Sequence, residues 1–185
     1  MDKKEIRIKF KEIRKKLRGN ITSEFLKTDI YLKAKTIFIF VSYGSEIGTV
    51  ELINKALNDG KIVAVPYMTG KPHEMVFIEI KSIEELKPNK IGILEPEYKA
   101  ENIIKSDKNT VIIVPGLAFD KDFYRIGYGG GYYDKYIDEN EYMLTVGACF
   151  EEQITDVVPR DEMDRTIDII VTDKRIRRNL NEDIN

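Results

Sequence analysis

Apolar residues in this chain form short continuous runs, which alternate with stretches where apolar residues recur at helical spacing. The run 36–41 is β-branched and aromatic without polar alternation, a pattern typical of a strand buried on both faces. By the same criteria we predict further strands at 62–65, 75–80, 111–114, 144–149 and 167–171. We predict helices over 3–18, from Thr49 to near Gly60, and from the glycine-rich segment through Ile137. Strands that alternate with helices indicate an α/β fold: an open, mainly parallel sheet with helices on both faces, in a Rossmann-like three-layer arrangement.

The length of 185 residues suits a single domain over 1–185. Thirty Lys and Arg residues nearly balance 32 Asp and Glu residues, and the net charge of −2 argues against a dedicated nucleic-acid or anionic-membrane binder. No apolar run approaches the roughly 20 residues that span a bilayer, and the N-terminus lacks the apolar core of a secretory signal. Cys149 is the only cysteine, which excludes an internal disulfide and a structural zinc site built on cysteines. We therefore expect a cytoplasmic monomer that binds neither nucleic acid nor membranes.

The first predicted helix carries a basic stripe next to its apolar stripe. The apolar stripe consists of Ile6, Phe10, Ile13 and Leu17, and the basic stripe of Lys3, Arg7, Lys11, Arg14 and Arg18. Two interpretations of the basic stripe are open. It is either a solvated helix face or a cationic wall beside a phosphate site.

The segment 125–134 carries the strongest chemical signal. Glycine allows backbone N–H groups to approach a ligand closely, and successive N–H groups that lead into a helix N-terminus bind anions. Arg125 precedes the glycines and can bind phosphate through two hydrogen bonds, while Asp134 can hold a hard cation that bridges phosphates. The spacing is not that of a Walker A loop. The segment therefore predicts a phosphate site, with a flexible turn as the alternative.

Ligands of parallel sheets gather at the carboxyl ends of strands, so the loops there supply further candidates. Glu46 follows the first strand and is either an exposed loop acid or a carboxylate that accepts N–H donors of a ligand. Thr49 is suited to cap the next helix, and Asp164 is either a cap or a second carboxylate for a metal. His73, the only histidine, is interpreted as solvated, and Cys149 as an inert core thiol.

Residues 114–134 closely resemble the 5-formyltetrahydrofolate cyclo-ligase family. The family pattern there is Pro-Gly-Leu-Ala-Phe-Asp, then Arg-Leu-Gly-Tyr-Gly-Gly-Gly-Tyr-Tyr-Asp, which this chain matches at 115–120 and 125–134. The likeness extends to Lys3, Arg7, Glu46, Thr49, Pro66, the run 92–96, Phe150, Gln153, Asp164 and Asp168. The chain departs from the family at Phe123, where glycine is usual, and at Ile126, where leucine is common.

The resemblance implies an ATP- and Mg²⁺-dependent ligase that converts 5-formyltetrahydrofolate to 5,10-methenyltetrahydrofolate and releases ADP and phosphate. It implies ATP contacts from Lys3, Arg7, Arg125, Ile126, Gly127, Tyr128, Gly129, Gly130, Gly131, Tyr132 and Tyr133. It implies folate contacts from Val41, Glu46, Tyr128, Gly129, Gly130, Gly131 and Tyr132. Asp134 and Asp164 would hold Mg²⁺, and Arg125 and Lys121 are the candidates that act on the transferred phosphoryl group.

Other functions are compatible with parts of this pattern. One is a different sugar-phosphate or acyl-transfer enzyme on a similar α/β scaffold, because a fold does not determine a reaction. Another is a nucleotide- or folate-binding module without turnover, although such a module would not need Asp134 and Asp164. A nucleic-acid binder is disfavoured, because sites that stack bases normally lie in a basic groove.

Overall fold

The computed structural model describes residues 1–179. Its α-helices are α1 (Lys3–Lys15), α2 (Thr22–Leu26), α3 (Asp29–Lys33), α4 (Val50–Asn58) and α5 (Tyr132–Glu139). Its strands are β1 (Thr36–Ile39), β2 (Ile62–Met68), β3 (Met75–Ile80), β4 (Lys87–Pro88), β5 (Leu94–Glu95), β6 (Ile103–Ile104), β7 (Thr110–Pro115), β8 (Ala118–Asp120), β9 (Arg125–Ile126), β10 (Leu144–Cys149), β11 (Ile154–Thr155), β12 (Ile169–Thr172) and β13 (Ile176–Arg178). Short 3₁₀ turns occupy Ile83–Glu85, Ala100–Asn102 and Glu151–Gln153. The single domain over 1–185 stays a prediction, since its residues 180–185 lie outside the described part.

The central sheet has the strand order β13-β12-β10-β7-β1-β2-β3-β6. The five strands from β12 to β2 are parallel, and β13, β3 and β6 add antiparallel edges. Within the parallel part, β2 follows β1 on one side, whereas β7, β10 and β12 follow one another on the other side. The direction in which strands are added therefore reverses between β1 and β7. In sheets of this type a ligand binds at the carboxyl ends of the two strands that flank the reversal.

Helices cover both faces of the sheet, which confirms the predicted three-layer α/β architecture. On one face, Phe25 of α2 and Leu52 and Ile53 of α4 pack in the same core as the strand residues of β1, β2 and β7. On the other face, Tyr136 and Ile137 of α5 pack against a second core. None of the helices within residues 1–179 has the length and apolar composition that a bilayer span requires.

The helix α1 packs against a small second sheet, β11-β8-β9, instead of the central one. Ile6 and Phe10 on its apolar stripe contact a cluster that contains Leu117, Ala118 and Ile126. Asp2 caps this helix through the N–H of Glu5, and the Glu5 side chain accepts from the Asp2 N–H in return. The neighbouring basic stripe of the helix is thereby left to face the ligand end of the sheet.

Several element boundaries differ from the sequence prediction. The strand β2 continues through Pro66 to Met68, because its pairing with β1 ends at Ala64 and the missing N–H of proline costs no bond there. Thr49 precedes α4 but makes no capping bond with its side chain. Its hydroxyl donates to the carbonyl of Phe40 at 2.8 Å and accepts from the N–H of Ser42 at 2.9 Å, so it stabilises the loop after β1.

Phe123 occupies a left-handed backbone conformation, with φ of 66°. The hairpin β8–β9 turns through residues 121–123: the N–H of Phe123 bonds to Asp120, and Asp120 pairs with Tyr124. The third residue of such a turn is normally glycine, the residue that the family resemblance implies at this position. The Phe123 side chain is buried in the core beneath α5, so packing holds an aromatic residue in a strained conformation.

We expect Phe123→Gly to lower the free energy of unfolding by about 2 kcal/mol. Loss of the buried ring costs about 3–5 kcal/mol, and relief of the left-handed strain returns about 1–2 kcal/mol. Urea denaturation measures the difference. A gain in stability would contradict the expectation, since it would show that strain outweighs packing at this position.

Candidate active site

A cavity of about 990 Å³ opens at the carboxyl ends of β1 and β7, where the strand order reverses. Phe40 and Val41 line it after β1, and Pro115 lines it at the end of β7. The helix α1 and the glycine-rich segment 125–134 form further walls. The fold thus brings together residues that are more than one hundred positions apart in the sequence.

The basic stripe of α1 forms one wall of this cavity. The lining residues on that wall are Lys3, Arg7, Lys11, Arg14 and Lys15. Arg18 lies outside, and its guanidinium bonds to the main-chain carbonyls of Lys15 and Leu17. Most of the stripe therefore lines the cavity and its last residue does not, while a phosphate site beside this wall stays a prediction.

The glycine-rich loop takes its shape from positive φ angles and from contact with α1. Gly129 has φ of 104°, and the Arg7 guanidinium lies 3.5 Å from where a side chain at Gly129 would begin. Arg7 also donates from Nε to the carbonyl of Gly127 at 2.9 Å. Gly131, with φ of 64°, precedes α5 without a capping side chain, so the first N–H groups of this helix are available to a ligand.

Arg125 and Asp134 form a bidentate ion pair in the cavity wall. The two terminal nitrogens of Arg125 lie 2.8 and 3.1 Å from the two carboxylate oxygens, and the Arg125 side chain is 5% exposed. The main-chain N–H of Arg165 adds a bond of 3.2 Å to Asp134. The Nε atom of Arg125 is buried and bonds to no atom of the described residues. In this structure Arg125 is therefore the counter-ion of Asp134.

Lys3 bridges two carboxylates on the same side of the cavity. Its Nζ atom lies 2.6 Å from both Asp161 and Asp164, and the N–H of Asp161 donates to Asp164 at 2.7 Å. Burial works to lower the pKa of Lys3, but the hydrogen bonds to these carboxylates outweigh it and leave the pKa above its usual value. Lys3 stays charged and neutralises the carboxylate pair.

Asp134 and Asp164 have the donor chemistry that Mg²⁺ requires. The N–H of Arg165, the residue next to Asp164, bonds to Asp134, so the chain places the two carboxylates on neighbouring segments. Within residues 1–179 no three acidic, histidine or cysteine side chains form a metal cluster. Mg²⁺ is commonly held by one or two carboxylates together with substrate phosphates, so a pair of carboxylates fits this ion.

Glu46 is the carboxylate at the other end of the cavity. Its side chain is 13% exposed, one oxygen accepts from the N–H of Tyr43 at 2.9 Å, and the other accepts from the hydroxyl of Tyr128. Burial and the charge of Glu46 raise the pKa of Tyr128, so this phenol keeps its proton and donates it. Val41 lies in the same lining.

The structure does not bring all predicted site residues together. Lys121 is exposed, lies outside the cavity lining and pairs with Asp156 at 2.5 Å. Ile126 is part of the cavity lining, but its side chain packs in the core between α1 and β8. Tyr133 is buried in the core beneath α5, whereas Tyr128 is half-exposed to the cavity. Tyr132 and Tyr133 line the same cavity, so all three tyrosines of the loop border the space for a ligand.

His73 and Arg14 are among the residues of the cavity wall that had no specific role in the sequence analysis. His73, at the tip of the β2–β3 hairpin, is exposed as expected, but its Nδ1 also contacts the carbonyl of Gly130. Arg14 is buried and bonds to residues of two loops. Membership of the basic stripe was the available signal for Arg14, and no local pattern indicates the contact of His73.

Comparison with known proteins gives a consistent result. The model of the 5-formyltetrahydrofolate cyclo-ligase family matches residues 2–173. A probable 5-formyltetrahydrofolate cyclo-ligase of Schizosaccharomyces pombe is 30% identical over 175 residues, which cover 87% of this chain and 86% of that protein. The 5-formyltetrahydrofolate cyclo-ligase of Escherichia coli strain K12 is 28% identical over 77% of this chain and 80% of its own length. The solved structure of Aquifex aeolicus 5,10-methenyltetrahydrofolate synthetase matches with a TM-score of 0.81 and 27% identity, over 97% of this chain and 94% of that one. With the family match spanning most of its length, the chain belongs to the 5-formyltetrahydrofolate cyclo-ligase family and is a ligase.

Proposed function

We propose that this ligase uses ATP and Mg²⁺ to convert 5-formyltetrahydrofolate to 5,10-methenyltetrahydrofolate, with release of ADP and phosphate. The proposal rests on one observation: the cavity at the reversal of strand order has two chemically different ends. We call them the phosphate-type end and the carboxylate end. Lys3, Arg7 and the glycine-rich loop form the first, and Glu46 forms the second.

ATP would bind at the phosphate-type end. Arg7 bonds through Nε to Gly127, which leaves its terminal nitrogens available to phosphate oxygens. The glycine N–H groups and the uncapped N-terminus of α5 add neutral donors that favour an anion. Lys121 is left out of this proposal, because it lies outside the cavity lining.

The folate would bind with its pterin toward Glu46. A carboxylate that is held by Tyr43 and Tyr128 retains lone pairs for N–H donors of the pterin. The Tyr128 ring and Val41 offer apolar surface beside it. The formyl group would then lie between this end and the phosphate-type end.

The reaction would proceed in two steps. The formyl oxygen attacks the γ-phosphorus of ATP, and the bond between that phosphorus and ADP breaks. N10 then attacks the activated formyl carbon, loses its proton, and the carbon–oxygen bond breaks to release phosphate. Phosphoryl transfer depends on positioning and charge neutralisation, so the chain needs no cysteine or histidine nucleophile.

Asp134 and Asp164 would hold Mg²⁺, which supplies positive charge to the transferring phosphoryl group. Before the nucleotide binds, Arg125 and Lys3 neutralise these same carboxylates. With Mg²⁺ held by these carboxylates, Lys3 and Arg125 would add positive charge in the same wall of the cavity.

We further propose that the protein is a monomer that acts on small molecules. Size-exclusion chromatography tests the monomer. The cytoplasmic location stays a prediction from the sequence.

A steady-state absorbance assay tests the proposed reaction. The purified protein is mixed with 5-formyltetrahydrofolate, ATP and Mg²⁺, and the near-ultraviolet band of the methenyl product is followed. We expect product only when all three are present. A folded protein that binds both substrates without product would instead support the binding module without turnover.

We expect Glu46→Gln to raise the KM for 5-formyltetrahydrofolate about 10- to 100-fold and the KM for ATP much less. The neutral amide loses a charged hydrogen-bond acceptor, a change that costs about 1.5–3 kcal/mol. The matched control is Glu51→Gln on α4, whose side chain bonds to Asn20 and does not line the cavity. Equal rises in both KM values would contradict a role of Glu46 at the pterin.

A further inference from the structure

We propose that Arg14 is a positioning residue, which holds Tyr128 against Glu46 and so prepares the folate end of the cavity before substrate binds. This inference rests on the proposed function, because it assigns Arg14 to the folate end of that site. It concerns a residue of α1 that is remote from the glycine-rich segment in sequence.

Arg14 joins three separate parts of the cavity wall. Its Nε donates to the hydroxyl of Ser45 at 3.1 Å, in the loop after β1. One terminal nitrogen donates to the hydroxyl of Tyr128 at 2.6 Å, and the same nitrogen lies 4.0 Å from Glu46. The Arg14 side chain is 8% exposed, so its own position is fixed by packing, while Tyr128 stays half-exposed to the cavity.

The hydroxyl of Tyr128 has one proton to donate, and Arg14 determines where it goes. Because Arg14 donates to the phenol oxygen, the phenol proton is directed to Glu46. The raised pKa of Tyr128 keeps that proton in place at neutral pH. The result is a chain of bonds from a charged donor through a neutral hydroxyl to a charged acceptor.

This chain of bonds orients the Glu46 carboxylate. Tyr43 holds one oxygen through its N–H and Tyr128 holds the other, while the charge of Arg14 balances the charge of Glu46. A carboxylate that is already oriented loses less conformational entropy when it binds a ligand. Without Arg14, the Tyr128 hydroxyl loses its charged donor and Glu46 loses its nearby balancing charge, so the bond between Tyr128 and Glu46 is held less firmly.

The planar guanidinium is suited to this role in a way that lysine is not. It donates in two directions at once, to Ser45 and to Tyr128, and its carbon lies 5.6 Å from the centre of the Tyr128 ring. The ammonium group of a lysine at this position retains the charge but lacks a planar set of donors that point in fixed directions. We therefore expect Arg14→Lys to restore folate binding only in part.

Isothermal titration with 5-formyltetrahydrofolate, without ATP, tests the inference. We expect Arg14→Gln to raise the Kd about 10- to 30-fold, because a charged donor is lost, and to change the Kd for ATP by less than about threefold. Arg18→Gln is the matched control, since Arg18 is the next member of the basic stripe and lies outside the cavity. It should bind the folate like the wild type.

A double-variant cycle with Tyr128→Phe separates positioning from a general structural role. If Arg14 acts through the Tyr128 hydroxyl, the double variant should bind folate no more weakly than the weaker single variant. If Arg14→Gln does not fold, Tyr128→Phe alone still tests the inference, because it removes the hydroxyl through which Arg14 acts. Additive losses, or equal losses of folate and ATP affinity, would overturn the inference. A wild-type protein that binds ATP but neither binds nor converts the folate would instead overturn the proposed function, and the inference with it.

Discussion

Asp134→Asn is expected to lower the free energy of unfolding by about 3 kcal/mol and to reduce turnover more than about 100-fold. The stability loss follows from Arg125, whose guanidinium is almost fully buried and bonds through both terminal nitrogens to this one carboxylate. An amide accepts one of these bonds but leaves the positive charge unbalanced. The activity loss follows from the proposed role of Asp134, because a neutral amide binds Mg²⁺ weakly.

Urea denaturation and the absorbance assay measure the two effects separately. Asp138→Asn is the matched control: it lies on the same helix and pairs with Arg165 at 2.7 Å, but its side chain is half-exposed. We expect that control to stay within about 1 kcal/mol of the wild type. Full activity of Asp134→Asn under conditions where it is folded would remove Asp134 from the metal site.

A double substitution distinguishes the structural role of the pair from its chemical role. Replacing Arg125 by Met and Asp134 by Leu removes both charges together, and an apolar pair of similar volume is often as stable as a buried ion pair. We expect the double variant to recover most of the lost stability and none of the lost turnover. Recovery of turnover would show that neither side chain contributes to the reaction.

The strands of the central sheet could be predicted because burial on both faces gives continuous apolar runs. For β7 and β10 the predicted and observed bounds agree to within a residue at each end. The helices α2 and α3 were missed, since a five-residue helix spans too few turns to show a periodic pattern. The strands β8, β9 and β11 were missed for a related reason: each has two or three residues, too few to show a pattern of burial.

Residue types and their order indicated the components of the site, but not how these components pair. Lys3, Glu46, Asp134 and the glycine-rich loop line one cavity, as their positions at strand ends and on the first helix suggested. The ion pair of Arg125 with Asp134 could not be read from the sequence, because the nine-residue separation crosses a loop of unusual backbone geometry. The pairing of Lys3 with Asp164, 161 residues away, depends on the complete fold. Sequence patterns describe neighbouring residues, whereas the ion pairs of the site join residues that only the complete fold brings together.

Gly147→Ala is expected to lower the free energy of unfolding by about 3 kcal/mol, the upper end of what overpacking a core costs. A side chain at Gly147 would begin 2.5 Å from the ring of Phe119, and one at Gly116 would begin equally close to the other edge of that ring. Phe119 is fully buried, so its ring has no free space to move into.

The backbone at Gly147 cannot yield either, because β10 is paired on both sides, with β7 and β12. The displacement must therefore pass to β8, where Phe119 pairs directly with Arg125, the residue that neutralises Asp134. We expect turnover to fall together with stability, and urea denaturation with the absorbance assay measures both. Adding Phe119→Leu to the same chain gives the methyl group room and should recover part of the loss. A Gly147→Ala variant as stable as the wild type would show that Phe119 is not wedged between the two glycines, and that the close packing of β8 on β10 does not fix the position of Arg125.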